Sequence, residues 1–136
     1  MDVTEPVAKL LDRRVRRSTV IALVGASEDR SKYGNIILRD LLRKGFRVLP
    51  VNPNSRQVLG MKTSATLADA RALSPISIAD FVVPPEASLS IVRSLDGSEA
   101  DVLWFQPGSY DPAVIEAAKA SFEHVVAGPC IMVEAE

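Results

Sequence analysis

A single cysteine, Cys130, leaves no partner within the chain, so an internal disulfide is impossible and a cysteine-built zinc cluster is excluded. The one histidine, His124, lies six residues upstream of that cysteine, across an expected strand and turn. No Ser-His-Asp set, metal-ligand spacing or paired-carboxylate motif stands out, which leaves no base or nucleophile with an orienting partner. Lys32 and Tyr33 are adjacent rather than one helical turn apart, so they do not make a catalytic Tyr/Lys pair. No apolar run approaches the roughly 18 to 20 residues that span a bilayer. The opening MDVTEPVAKLLDRR carries acids and an early proline, unlike a signal peptide. The expectation is a protein of a reducing cytoplasm with no metal and no membrane partner. Aromatics are scarce at 5% and the pI is near 5.9, which argues against nucleic acid as a partner.

What is present is a chain of 136 residues, 47% apolar, enough for one domain with a real core. Charge is unevenly placed. Residues 1–62 hold 13 of the 16 Lys/Arg and 6 of the 17 Asp/Glu, a balance of +7. Residues 63–136 hold the other 3 and 11, a balance of −8. A basic first half favours an anionic partner close to it.

Thr4-Glu5-Pro6 has helix-start chemistry, and Val7, Leu10, Leu11 and Val15 recur at helical spacing, which predicts an N-terminal helix within residues 1–17. Arg13, Arg14, Arg16 and Arg17 then fall mostly on its other faces. The rest, residues 18–136, alternates strand and helix. Val20–Val24 is apolar throughout, as a parallel sheet buried under helices on both faces requires. Ile37, Leu38, Leu41 and Leu42 mark a helix closed by Gly45. Further strands are expected at 48–51, 77–83, 102–105 and 124–127, with helices near 66–73, after Pro84-Pro85-Glu86, and after Asp111-Pro112. Residues 52–65 read only as turn-rich. Alternation of this kind implies βαβ units. The predicted fold is α/β: one Rossmann-like three-layer α/β/α domain on a parallel sheet of about five strands.

In such folds ligands bind beyond the carboxyl ends of the strands. The first such loop, Gly25 to Asn35, joins a buried strand to a helix start, where free N–H groups and the helix dipole attract phosphate. Ser27, Ser31 and Lys32 add possible donors. A strict G-x-G-x-x-G is missing, since Ala26 follows Gly25 and the next glycine is Gly34. After the second strand, Asn52-Pro53-Asn54 precedes Arg56, with no acid for a ribose, so a phosphate-bearing NADP or CoA suits it better than NAD.

IALVGAS, KYGN, GFRVLPVNPN, VLGMKTSATLAD, DFVVPPEAS, DVLWFQPGSYDPAVIEAA and VVAGPCIMVE, in this order over roughly residues 18–134, resemble the CoA-binding domain family. That family includes stand-alone bacterial proteins and is similar to the CoA-binding domain of the succinyl-CoA synthetase α subunit. The resemblance implies a coenzyme A or acyl-CoA ligand. It implies that Gly25, Ala26, Ser27, Lys32, Tyr33 and Gly34 cradle the phosphates, and that Asn52, Pro53 and Arg56 contact the nucleotide. It further implies that adenine packs on Val83, Pro84 and Pro85, and that Gln106, Pro107 and Gly108 lie near the pantetheine path. The family's usual Phe-Arg-Arg-Pro-type turn is replaced by Phe81-Val82-Val83-Pro84-Pro85, which removes a basic contact. Nothing in the chain matches the synthetase's phosphorylated histidine, and His124 is expected to be structural.

The expectation is a non-catalytic CoA-binding module, with a partner enzyme or homo-oligomer as possible company. Cys130 is either a small packed side chain or a neighbour of the pantetheine thiol. A small NAD(P)-dependent oxidoreductase and a nucleic-acid binder acting through the N-terminal arginines are the alternatives. Replacing Gly25 with valine is expected to fill the pyrophosphate's space while leaving the domain folded.

Overall fold

Burial on both faces selects the strands. In the computed structural model, which describes residues 1–136, each residue of β1 (Val20–Val24) is buried. The other elements are α1 (Glu5–Leu10), α2 (Tyr33–Arg43), β2 (Arg47–Val51), β3 (Gln57–Val58), β4 (Met61–Lys62), α3 (Leu67–Leu73), β5 (Ile78–Phe81), α4 (Pro85–Arg93), β6 (Val102–Phe105), α5 (Pro112–Ser121), β7 (His124–Ala127) and α6 (Ile131–Glu134). Five strands form one parallel sheet in the order β2-β1-β5-β6-β7. α1, α2 and α6 pack on one face through Val7, Ile37, Leu38, Leu41 and Ile131. α3, α4 and α5 cover the other through Leu67, Ala70, Val92, Val114 and Ala118. The expected Rossmann-like α/β/α domain is the fold observed. No helix is long and apolar enough to cross a membrane.

Local chemistry explains the ends of the elements. α2 stops at Gly45, where φ is +97°, with Phe46 N donating to Leu41 O and Gly45 N to Leu42 O, a Schellman closure. Thr66 and Asp111 cap α3 and α5 by accepting from Asp69 N and Val114 N. Pro50 lies on the edge strand: its carbonyl faces outward to Ser64 N, so its missing donor faces outward too.

The N-terminal helix is shorter than its periodicity implies. It occupies Glu5–Leu10, Thr4 makes no side-chain cap bond, and Val15 is exposed. Arg16 leaves the expected polar face altogether. Its guanidinium is buried, donating to Leu11 O and Glu136 O and lying 4.9 Å from the centre of the Phe46 ring. One of the four arginines invoked for nucleic acid is therefore part of the packing. Two elements went unread in the sequence. The β3–β4 hairpin turns through Leu59 and Gly60, both at positive φ, and α6 follows Cys130. Val58 buries the hairpin on the α2 face, and the Glu28 carboxylate accepts from Leu59 N, tying the hairpin to the loop after β1.

Candidate functional site

The chain leaves β1 toward β2 on one side and later enters β5 on the other, so strand order reverses between β1 and β5. A cleft at the carboxyl ends of these two strands follows from that topology. Its floor is Gly25. This residue has φ of +102°, and a Cβ there would lie 2.8 Å from Val83 Cγ1 and 3.0 Å from Val82 O. The expectation for Gly25→Val is corrected accordingly. The added methyls run into the turn after β5 rather than into open ligand space, so the substitution strains the fold itself.

Gly34 sits in the first turn of α2 and lets that helix meet the β1 turn backbone to backbone. A Cβ on it would stand 2.0 Å from Gly25 O. Asn35, fully buried, donates to Ser27 O, and Asn52 donates to Ala26 O while accepting from Asn54 N. These bonds hold the loops after β1 and β2 together. The backbone N–H groups of Ala26, Ser27, Tyr33 and Gly34 donate to no other group of the protein, and two of them open α2, where the dipole favours an anion. Ser27 Oγ accepts from Asp29 N, which leaves its proton free. Ser31 spends its hydroxyl on Asp29 Oδ1 at 2.6 Å and is not available as a donor. Those bonds from Ser31 hold the Asp29 carboxyl below its usual range.

Three contiguous cavities run across the switch point. One, of about 510 Å³, is bounded by Gly25, Lys32, Tyr33, Gly34, Pro107 and Gly108. The next, of about 670 Å³, shares Gly25, Val83 and Pro84 with it and continues between α3 and α4 as an apolar slot. The third, of about 600 Å³, shares Asn52, Pro53 and Asn54 with the slot and contains Arg56 and Lys62. Lys32, Arg56 and Lys62 are exposed and have no ion-pair partner. The groove thus offers N–H donors and a cation at one end, apolar walls in the middle, and two cations at the other. Such a surface suits an anion whose apolar ring enters the slot and whose negative charges lie on either side of it.

A sequence model of the CoA binding domain matches residues 19–136. The chain belongs to the CoA-binding domain family. A conserved hypothetical protein from Pyrococcus furiosus is 42% identical, with a TM-score of 0.77 covering 85% of this chain and 98% of that one. The uncharacterized protein YneT of Bacillus subtilis (strain 168) is 25% identical over 119 residues, 88% of this chain and 87% of its own length. A dinucleotide-forming acetyl-coenzyme A synthetase 1 from Ca. Korarchaeum cryptofilum, in complex with phosphate and ADP, is 30% identical with a TM-score of 0.57. The match covers 69% of this chain and 20% of that one, so the family fold also occurs inside a larger enzyme.

Within this family member, the residues singled out in the sequence separate into two kinds. Gly25, Ala26, Ser27, Lys32, Tyr33 and Gly34 converge at the head of α2, and Pro53, Arg56, Val83 and Pro84 line the groove. Pro85 begins α4 behind them. Asn52 and Gln106 have their side-chain amides already engaged. Gln106, buried, accepts from Ile131 N and donates to Cys130 Sγ at 3.3 Å, so it anchors α6 while Pro107 and Gly108 form the lip. Cys130 is half-buried on that anchor, and His124 is half-buried at the opposite end of the sheet. No three His, Cys, Asp or Glu side chains are grouped to hold a metal. Lys62 and Glu99 also line the groove and went unremarked in the sequence.

Proposed function

We propose that this chain binds coenzyme A, free or acylated, as a non-catalytic module of the cytoplasm that senses, carries or presents it. The observation that carries the reading is the continuity of the groove. Its apolar slot adjoins both the donor-lined end and the basic end, as adenine, the 5′-pyrophosphate and the 3′-phosphate all branch from one ribose in the ligand. The pyrophosphate takes the free N–H groups at the head of α2 with Lys32 beside them. Adenine enters between α3 and α4 on the Val83-Pro84 turn. Arg56 and Lys62 take the 3′-phosphate, and pantetheine leaves along Pro107 and Gly108. Glycine at 34 lets the head of α2 meet the turn after β1 backbone to backbone, which brings their free N–H groups together.

Coenzyme A at 100 times its Kd stabilises a native-state binder by about 2.7 kcal/mol, several degrees in melting temperature. The expected result is such a shift with coenzyme A and a smaller one with NADPH. A shift with NADPH and none with millimolar coenzyme A overturns the reading.

Lys32→Ala and Arg56→Ala are each expected to weaken coenzyme A binding about fivefold, because charge-assisted contacts made by exposed side chains are worth about 1 kcal/mol. Dephospho-CoA should respond to Lys32→Ala but not to Arg56→Ala or Lys62→Ala. Calorimetric titration reads each affinity. Equal sensitivity of both ligands to Arg56→Ala would place the 3′-phosphate elsewhere.

A further inference from the structure

Two side chains that act as acceptors line the apolar slot between α3 and α4 where α4 ends. Ala87 and Ile91 line it along α4, and Ser94, Leu95 and Glu99 line it just beyond the end of that helix. Ser94 has committed its proton to Ile91 O at 2.6 Å, which leaves its oxygen as an acceptor. Glu99 is buried, only 8% exposed, although it is a carboxylate. It is fixed by backbone donors: Oε1 accepts from Asp96 N and Gly97 N at 3.2 and 3.1 Å, and Oε2 from Asp96 N at 3.0 Å. A carboxylate has about four acceptor sites, so Oε2 keeps lone-pair capacity. A buried side chain held this rigidly presents its spare acceptor at a fixed place.

We infer that Glu99 selects the base of the bound nucleotide, taking the 6-amino group of adenine and rejecting a 6-oxo purine. This rests on the coenzyme A reading and adds a specificity-determining residue to it. At 1.5 Å per residue, Ser94 lies about 10 Å along α4 from Ala87 near the switch point, comparable to the span from a nucleotide's 5′-phosphate to the 6-position of its purine. Adenine offers two hydrogens at that position. Hypoxanthine offers a carbonyl oxygen, which would face acceptors with no hydrogen between them. A site built to pair a polar group discriminates strongly against an analogue that cannot pair.

The test compares ADP with IDP by calorimetric titration of the whole chain, with coenzyme A as the reference ligand. The parent is expected to bind ADP at least about tenfold tighter than IDP. In Glu99→Gln the side chain keeps Oε1 for the backbone donors and presents an amide N–H₂ in place of Oε2. ADP binding should weaken and IDP binding strengthen, bringing the ratio below about threefold. A purely structural role would shift both affinities by one common factor, so an unchanged ratio in a folded variant overturns the inference. Should the variant fail to fold, purine riboside diphosphate, which lacks the amino group, tests the parent directly. Binding equal to that of ADP refutes the role of Glu99, and weakening of about tenfold supports it. Coenzyme A binding without base discrimination refutes Glu99 alone, whereas absence of binding by coenzyme A and both nucleotides refutes the underlying reading as well.

Discussion

Gly34→Ala is expected to lose about 3 kcal/mol or more of stability, and with it coenzyme A binding, although it adds one methyl group at a helical position. Alanine normally favours a helix over glycine by about 1 kcal/mol, so propensity alone would predict a gain. Packing reverses the sign. The new Cβ would lie 2.0 Å from Gly25 O and 3.0 Å from its carbonyl carbon, and these are backbone atoms that cannot rotate aside. Either α2 lifts from β1 or the turn at Gly25 moves, and each displaces the free N–H groups of Tyr33 and Gly34 from the place proposed for phosphate. A chain of this length loses roughly 10 °C for such a change. Gly45→Ala is the control. It has positive φ but nothing within 4 Å of an added Cβ, so it should cost only the backbone term of about 1 kcal/mol and leave binding intact. If Gly34→Ala melts with the parent and binds coenzyme A as tightly, close backbone approach does not shape this site.

The same contrast shows what a sequence can carry. Strands β1, β5 and β6 were legible because burial on both faces leaves continuous apolar runs such as Val20–Val24. The turn after β1 was legible because a strand, a glycine and a helix start are local events. The direction of the missing Cβ at Gly25 was not, since it depends on Val82 and Val83, far away in sequence. Leu59-Gly60 hid the hairpin because leucine is a poor sign of a turn with two positive φ values. Arg16 looked like a solvated charge, and its buried place against Phe46 and two carbonyls arises only when residues 11, 46 and 136 are brought together. Asn52 and Gln106 were correctly located at strand ends, yet their side chains fasten neighbouring loops. Position follows from periodicity, whereas the use of a polar side chain depends on which backbone groups the fold leaves unpaired beside it.

Asp80→Asn is expected to change how stability depends on pH. Asp80 lies at the centre of the sheet, in register with Leu23 on one side and Trp104 on the other, and is fully buried. Neither carboxyl oxygen has a hydrogen-bond partner. Burial pushes its pKa well above the ordinary 3.8, because nothing nearby compensates the charged form. The unfolded chain releases this proton near its ordinary value, while the native chain keeps it to higher pH. Folding therefore takes up a proton in that interval, and stability falls as pH rises through it, with a slope of up to about 1.4 kcal/mol per pH unit. The carboxyls of Asp29, Asp40 and Asp96 are held below their usual range, so they act in the opposite direction, removing stability as acid protonates them. Their effect falls below about pH 4, which leaves the interval from pH 5 to 7 to Asp80. Asparagine matches the shape of the neutral acid and has no proton to lose. The variant should thus be no more stable than the parent at pH 4 and more stable at pH 7, with the pH 5 to 7 slope gone. Urea midpoints at closely spaced pH values measure this directly. Parallel profiles for the two proteins would mean that Asp80 ionises in the native core without the cost that its burial implies.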